Sequence, residues 1–281
     1  MPLSFLLLVA AARALTFEGV KNARRLAGAA ANLPVWRTAT LDNATAADVA
    51  ALRNVARVID LRNDDEIAKG AKARSEAARE YYDAAPVSSA PFLGDIDAFW
   101  GGVSANAPPL PLWPRVSMLW SARPLNAALS RALEDGGNAA LYVAILDSAP
   151  TTVGRAFEEV VACVDAGDTV LFHCQKGKDR TGILAALLEE ACGVARADTV
   201  ASYGLSGALL GGDDALPAAT GKRKDPDDPE VDWSRFRGSP PDAIADTLSW
   251  LDARHGGAAK YLVDACGVDA ASLATLRAKA G

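Results

Sequence analysis

A largely apolar run of five residues, Thr169 to His173 (TVLFH), leads straight into Cys174-Gln175-Lys176-Gly177-Lys178-Asp179-Arg180-Thr181-Gly182. Ile183, Leu184, Leu187, Leu188 and Ala191 then recur at helical spacing up to Gly193. The junction therefore reads strand, loop, helix, with the helix expected over 181–192. Upstream, Val153, Ala156, Phe157, Val160, Val161 and Val164 keep the same helical period. Thr151 and Thr152 can cap that helix and Gly167 can stop it. Helix, buried strand, loop and helix in succession is α/β grammar, and it predicts a sheet covered by helices.

The rest of the chain fits this class. Thr45-Ala46-Ala47-Asp48 has the form of a capping box, and Val49 and Leu52 follow on one face. Residues 55–61 (VARVIDL) are β-branched and apolar enough for a buried strand. The charged stretch 63–80 reads as helix and 81–87 as a second strand. Residues 88–114 are punctuated by glycine and proline, yet carry Phe92, Phe99, Trp100 and Trp113. A long aromatic loop of that kind is usually functional, so 88–148 reads as a lid or insertion, with helices at 125–134 and 141–147. Residues 211–240 read as a polar surface loop, and helices resume to the end with breaks at Gly256-Gly257 and Gly267.

Composition excludes several function classes. Half the residues are hydrophobic and 23% are charged, as in ordinary globular domains. No unbroken apolar run approaches the roughly 18–20 residues of a membrane-spanning helix. Twenty-nine basic against 35 acidic residues give a net charge of −6, which argues against general affinity for nucleic acid. An anionic substrate would have to be drawn by a local site. Two histidines, His173 and His255, and four cysteines without C-x-x-C spacing suit neither a zinc site nor a disulfide scaffold. The acidic run around Asp225 to Glu230 lacks the ligand spacing of a calcium loop. At the amino terminus, the apolar run from Leu3 and the small-x-small triplet Ala12-Arg13-Ala14 resemble a signal segment over 1–14. No basic residue precedes the run, so an apolar turn docked on the core is the alternative. Cytoplasmic and secretory or organellar routes both remain open.

The loop after the strand carries the chemistry. A loop entering a helix amino terminus aims free backbone N–H groups at one point, where the helix dipole adds partial positive charge. Such a place binds phosphate. Cys174 opens the loop and Arg180 closes it, so both can meet around one anion. The same field favours the thiolate, the nucleophilic form. Arg180 supplies a planar fork for two phosphate oxygens. Rival motifs fail on spacing: the first glycine of a nucleotide P-loop would fall at Phe172, and the serine-hydrolase elbow around Ser206 ends in Ala208.

The segment His173-Cys174-x5-Arg180-Thr181 resembles the signature of cysteine-dependent protein tyrosine phosphatases. The fuller form Gly177-Lys178-Asp179-Arg180-Thr181-Gly182 resembles the branch related to the secreted mycobacterial tyrosine phosphatase B. Trp36-Arg37-Thr38-Ala39, Val58-Ile59-Asp60-Leu61-Arg62 and the tail from Pro241 to Arg277 are similar to that branch as well. The resemblance implies a single phosphatase domain over 15–281, with a central mixed sheet, a phosphocysteine intermediate, and no metal or cofactor. It implies Cys174 as nucleophile and Arg180 as the phosphoryl grip. Gln175, Lys176, Gly177, Lys178 and Thr181 would bind phosphate, with Thr181 bonding the sulfur and His173 positioning the cysteine.

The wider family carries Trp-Pro-Asp as its general-acid loop, whereas this chain has Trp113-Pro114-Arg115. Asp179 is the first candidate acid by likeness, with Asp95, Asp97 and Asp147 as alternatives. A phenol, with pKa near 10, needs less protonation than an alcohol. That favours phosphotyrosine protein as substrate. Lys176 and Lys178 suit a polyanion such as a phosphoinositide, which is the alternative. A catalytically silent phosphate-binding module is a third reading, opposed by the joint presence of Cys174 and Arg180.

Overall fold

The computed structural model describes residues 17–85, 87–92, 96–109, 123–211 and 230–281. Five strands form one mixed sheet: β1 (Arg24–Arg25), β2 (Val35–Thr38), β3 (Val55–Asp60), β4 (Val87–Ser89) and β5 (Thr169–His173). Their order is β1-β2-β5-β3-β4, with β1 antiparallel to β2 and all other neighbours parallel. The expected α/β class with a central mixed sheet is what the chain adopts. β5 occupies the middle, paired through Phe172 with Arg37 on one side and Ile59 on the other.

Side chains alternate across this sheet, as strand geometry requires. Val58 and Leu171 pack on one face with Leu41, Leu52, Ala78 and Tyr81. Ile59, Val170 and Phe172 join the larger core on the other face. There α6 (Pro150–Ala166) buries Val153, Ala156, Phe157, Val160, Val161 and Val164, and packs on β3 and β5. Each large apolar side chain so buried contributes about 1.5–3 kcal/mol.

The helices before α6 depart from expectation in three places. α1 (Ala46–Leu52) begins with the expected box, Thr45 and Asp48 capping each other. The stretch read as one helix over 63–80 is two, α2 (Asp64–Ala73) and α3 (Glu76–Ala84). Ser75 separates them because its hydroxyl caps Ala78 N while its own N–H binds the Asp42 carbonyl. Tyr81 and Tyr82, expected to open a strand, finish α3 instead; Ala78 and Tyr81 share a buried helical face, and only Val87–Ser89 pairs with β3. Irregular chain was expected at 88–114, but 96–106 form α4 (Ile96–Asn106), with Phe99, Gly102 and Val103 buried. Trp113-Pro114-Arg115, Asp95, the segment 1–14 and most of 211–230 lie outside the described residues.

α5 (Arg123–Ser148) spans both helices expected at 125–134 and 141–147, and kinks at Gly137, where φ is +58°. Pro150 starts α6 at its first position without help from a Thr151 or Thr152 cap, while Gly167 ends it in the left-handed region as expected. α7 (Asp179–Ala191) starts two residues earlier than read, so Asp179 and Arg180 belong to its first turn. α8 (Arg196–Leu210), α9 (Pro241–His255), α10 (Ala258–Lys260, running into a π turn) and α11 (Ala270–Ala280) complete the chain. Among the described residues no helix is long and apolar enough to cross a membrane.

Candidate active site

β5 ends at His173, α7 begins at Asp179, and Cys174 to Lys178 bridge them. Cys174 is buried, at 1% exposure, beneath this loop. The backbone turns sharply at Gly177, where φ is +66° and an added Cβ would stand 2.1 Å from the Thr38 carbonyl oxygen. Only glycine fits that approach. The loop's outward carbonyls are held from behind. Asn22 Nδ2 donates to the carbonyls of Lys176 (3.0 Å) and Gly177 (2.9 Å), and Arg37 Nη2 donates to Gly177 (3.0 Å). On the loop's other flank, Thr40 N donates to the Gln175 carbonyl at 3.1 Å. With carbonyls so occupied, the loop is fixed against β2.

Arg180 carries an ion pair the sequence reading did not anticipate. Its Nη2 donates to Glu66 Oε1 at 2.8 Å and its Nη1 to Glu66 Oε2 at 2.5 Å. Glu66 Oε2 also accepts from Asn63 N, as part of the box that starts α2. Burial disfavours the charge on Arg180, but the hydrogen bonds to Glu66 outweigh it and hold its pKa above the ordinary guanidinium value.

Asp179 Oδ1 accepts from Lys178 Nζ at 2.6 Å and from the Tyr142 hydroxyl at 2.5 Å. Lys178 is 1% exposed and also donates to the Phe236 carbonyl at 3.1 Å. Its ammonium is therefore engaged inside the protein and does not add a second exposed positive charge to the loop. Thr181 Oγ1 is likewise buried without a hydrogen-bond partner, so the expected bond to the sulfur is not made. Of the other acid candidates, Asp147 binds Asn106 Nδ2 (3.2 Å) and Asp97 lies in the first turn of α4.

His173 is fully buried beside Cys174. Its Nδ1 lies 3.2 Å from the Cys174 carbonyl oxygen, and its Nε2 lies 3.1 Å from the Tyr82 hydroxyl and 3.8 Å from Asp60 Oδ2. Burial pushes its pKa below the usual value, although Asp60 pulls the other way. Beyond it lies a buried ion network: Arg62, fully enclosed, binds Asp60 (2.8 Å) and Asp42 (2.5 Å), and Arg74 also reaches Asp42 (2.9 Å). Removing one partner from such a network typically costs about 3–5 kcal/mol. Among the described residues no group of three or more His, Cys, Asp or Glu is arranged to hold a metal.

Glu66 and Tyr142 were missed because both reach the loop from distant elements. Asn63-x-x-Glu66 announced a helix start and nothing more. Tyr142 sits on an otherwise apolar helix face, where a buried phenol needs a polar partner; that was the available signal.

Known proteins resemble the chain over parts of its length. A tyrosine-protein phosphatase of Nostoc commune is 32% identical over 146 residues, covering 50% of this chain and 48% of that protein. A Cupriavidus necator protein named for the same class is 29% identical over 201 residues, 67% of this chain and 61% of its own length. The triple specificity protein phosphatase PtpB of Mycobacterium tuberculosis is 50% identical over 56 residues, 19% of this chain and 20% of that one. The chain thus spans about half the length of the first of these relatives and less than two thirds of the others. The family model described as the tyrosine phosphatase family matches residues 15–280, and the chain belongs to that family.

Proposed function

We propose that this chain hydrolyses phosphomonoesters through a phosphocysteine intermediate, with phosphotyrosine on protein as its main substrate. The observation that carries the reading is the placement of Cys174 at the end of β5, with Arg180 in the first turn of α7. The helix amino terminus and the guanidinium both favour negative charge there. The thiolate sulfur attacks phosphorus and the ester oxygen leaves, taking a proton from Asp179. Water then attacks the phosphocysteine, its proton returns to Asp179, and inorganic phosphate departs.

Asp179 is assigned as the acid because it stands in the first turn of α7, directly before Arg180, with its side chain 27% exposed. Tyr142 and Lys178 both bind Oδ1, which leaves Oδ2 for the leaving group. Two of the three relatives are named tyrosine-protein phosphatases, which supports the tyrosine class, while the third is named for triple specificity. The burial of Lys178 also supports the tyrosine class, because it withdraws one of the two lysines that favoured a polyanion. The test is hydrolysis of p-nitrophenyl phosphate in EDTA. Turnover is expected in the parent and absent in Cys174→Ser, which should still bind vanadate. Parent-level turnover in Cys174→Ser would sink the mechanism, and an inactive parent that binds phosphotyrosine peptides would favour the silent binding module.

A further inference from the structure

Arg24 on β1 and Arg37 on β2 stand directly opposite each other across the antiparallel pair. Both are buried, at 2% and 1% exposure. Like charges so placed are destabilising, and burial adds the cost of leaving water. Burial, and next the charge of Arg37, press the Arg24 pKa well down; a guanidinium keeps its proton all the same. Every hydrogen bond that these two side chains make among the described residues goes to a neutral acceptor. Arg24 donates to the Asn22 carbonyl (3.1 Å), the Asn22 side-chain oxygen, the Ser202 carbonyl (3.1 Å) and the Ser206 hydroxyl (2.9 Å). Arg37 donates to the Gly177 carbonyl, and Nε of each arginine is buried without a partner. The charge of Glu189, buried on α7, reaches both arginines. Its Oε1, however, accepts from Ala27 N (2.9 Å) and Ser202 Oγ (3.2 Å). Two cations against one carboxylate leave this cluster positive.

The surplus charge lies behind the catalytic loop. In a trans peptide the C=O and N–H groups point in opposite directions. The Gly177 carbonyl points back to Arg37 and Asn22, so the Lys178 N–H of the same unit points away from them. The Lys176 carbonyl points back to Asn22, which turns the Gly177 N–H the same way. The phosphatase reading seats the phosphoryl group on that far side. A cation on a carbonyl polarises the peptide and makes its N–H a stronger donor. Arg24 acts one step further back. With Asn22 Oδ1 held by Arg24, the amide must present Nδ2 to the loop.

We infer that Arg24 and Arg37 are positioning residues for the phosphoryl group: they aim the loop's N–H groups and hold behind them a positive charge that the bound anion offsets. The inference rests on the phosphatase reading above. Packing alone does not call for the charges, since replacing buried charge with apolar residues of similar volume is often neutral or stabilising. Two opposed cations gain their missing counterpart when a dianion occupies the loop. Neither arginine touches the reacting atoms, because the loop's backbone lies between.

The experiment measures vanadate affinity, kcat/KM on p-nitrophenyl phosphate and the Tm of the free protein in Arg37→Lys, Arg37→Met and Arg24→Met. Lysine keeps the charge, whereas methionine fills much of the space without it. Arg37→Met should weaken vanadate about tenfold or more, and Arg37→Lys about threefold or less. Arg24→Met should fall between them. kcat/KM should follow the same ranking. The loss in Arg37→Met should persist in 0.5 M salt, because buried charges are screened little. Equal losses in Arg37→Lys and Arg37→Met would overturn the role of charge. Parent-level vanadate affinity in Arg37→Met would overturn positioning altogether. Should Arg37→Met lack a cooperative thermal transition, Arg24→Met against Arg24→Lys decides by the same ranking. Loss of the transition in both methionine variants would show that the charges serve the fold, and would also overturn the inference. A parent that neither binds vanadate nor hydrolyses any ester would instead refute the phosphatase reading itself.

Discussion

Tyr142 donates a hydrogen bond to Asp179 Oδ1 at 2.5 Å, and its oxygen lies 2.6 Å from that of Tyr203. Both phenols are buried, and burial together with the Asp179 charge holds the Tyr142 pKa well above its ordinary value. Tyr142 therefore keeps its proton, and that proton has two acceptors to choose from. Pointed at Asp179 it shares Oδ1 with Lys178 Nζ, and neither donor occupies Oδ2. In the proposed mechanism, Oδ2 is the oxygen from which this general acid would donate.

The first prediction concerns that acid. Asp179→Asn should slow phenyl phosphate, with its poor leaving group, about 10²- to 10⁴-fold, and p-nitrophenyl phosphate much less. Tyr142→Phe removes one of the two donors that orient Oδ1, so it should slow phenyl phosphate selectively, by a smaller factor. Steady-state kinetics on both esters checks this. Equal losses on both would mean that Asp179 shapes the loop rather than donating a proton.

Glu66 gives the second prediction. Glu66→Gln leaves the Arg180 fork with one neutral acceptor in place of a carboxylate. Hydrogen bonds to charged groups are worth about 1.5–3 kcal/mol, so kcat/KM should fall roughly tenfold or more. Burial raises the Glu66 pKa, but the Arg180 hydrogen bonds outweigh it and the net direction is down. The pair's stabilisation is therefore complete above the unfolded glutamate value of about 4.3 and fades as pH drops through the lower folded value. Urea titrations from pH 3 to 6 should show a shallower acid loss in Glu66→Gln. An unchanged kcat/KM would show that Arg180 is oriented by other contacts.

The third prediction is a stability slope set by His173. Its folded pKa lies below the unfolded value of about 6.5, chiefly through burial. Between those two values the unfolded chain binds a proton that the native protein refuses, so stability falls as pH drops below about 6.5. His173→Asn should flatten the parent's decline in urea midpoint between pH 7 and 5. His255, whose pKa is also lowered, remains in both proteins and cancels in the comparison. A slope identical in parent and variant would contradict a neutral buried His173.

Local pattern made β5, the loop and α7 legible, because strand, glycine and helical period sit in one continuous segment. The same holds for α1, whose cap is written in Thr45 and Asp48, and for α6, whose apolar positions are regular. What stayed illegible was long-range or balanced between periods. Tyr81-Tyr82 looks extended by composition, and becomes helical because Ser75 caps a turn that buries Ala78 and Tyr81. Glu66 meets Arg180 across 114 positions of chain, and Tyr142 meets Asp179 across 37. No spacing rule reports such partners. Lys178 was read as a phosphate cation, but the Phe236 carbonyl and the Asp179 carboxylate claim it, which only the packed fold could show.

The last prediction tests how the loop is shaped. Gly177→Ala would place a methyl group 2.1 Å from the Thr38 carbonyl oxygen and demand a left-handed backbone from alanine. The conformation alone costs about 1–2 kcal/mol, and the clash must also push the loop off β2. That movement breaks the bonds that Asn22 and Arg37 make to the Gly177 carbonyl. Vanadate affinity should therefore fall by two orders of magnitude or more, together with a lowered Tm. Asn22→Gly removes two of the carbonyl bonds without a clash and, at a position where φ is +58°, without forcing alanine into the left-handed region, so its losses in affinity and Tm should be clearly smaller. The ranking separates geometry from mere support: vanadate bound by Gly177→Ala as tightly as by the parent would show that the anion does not sit in this loop.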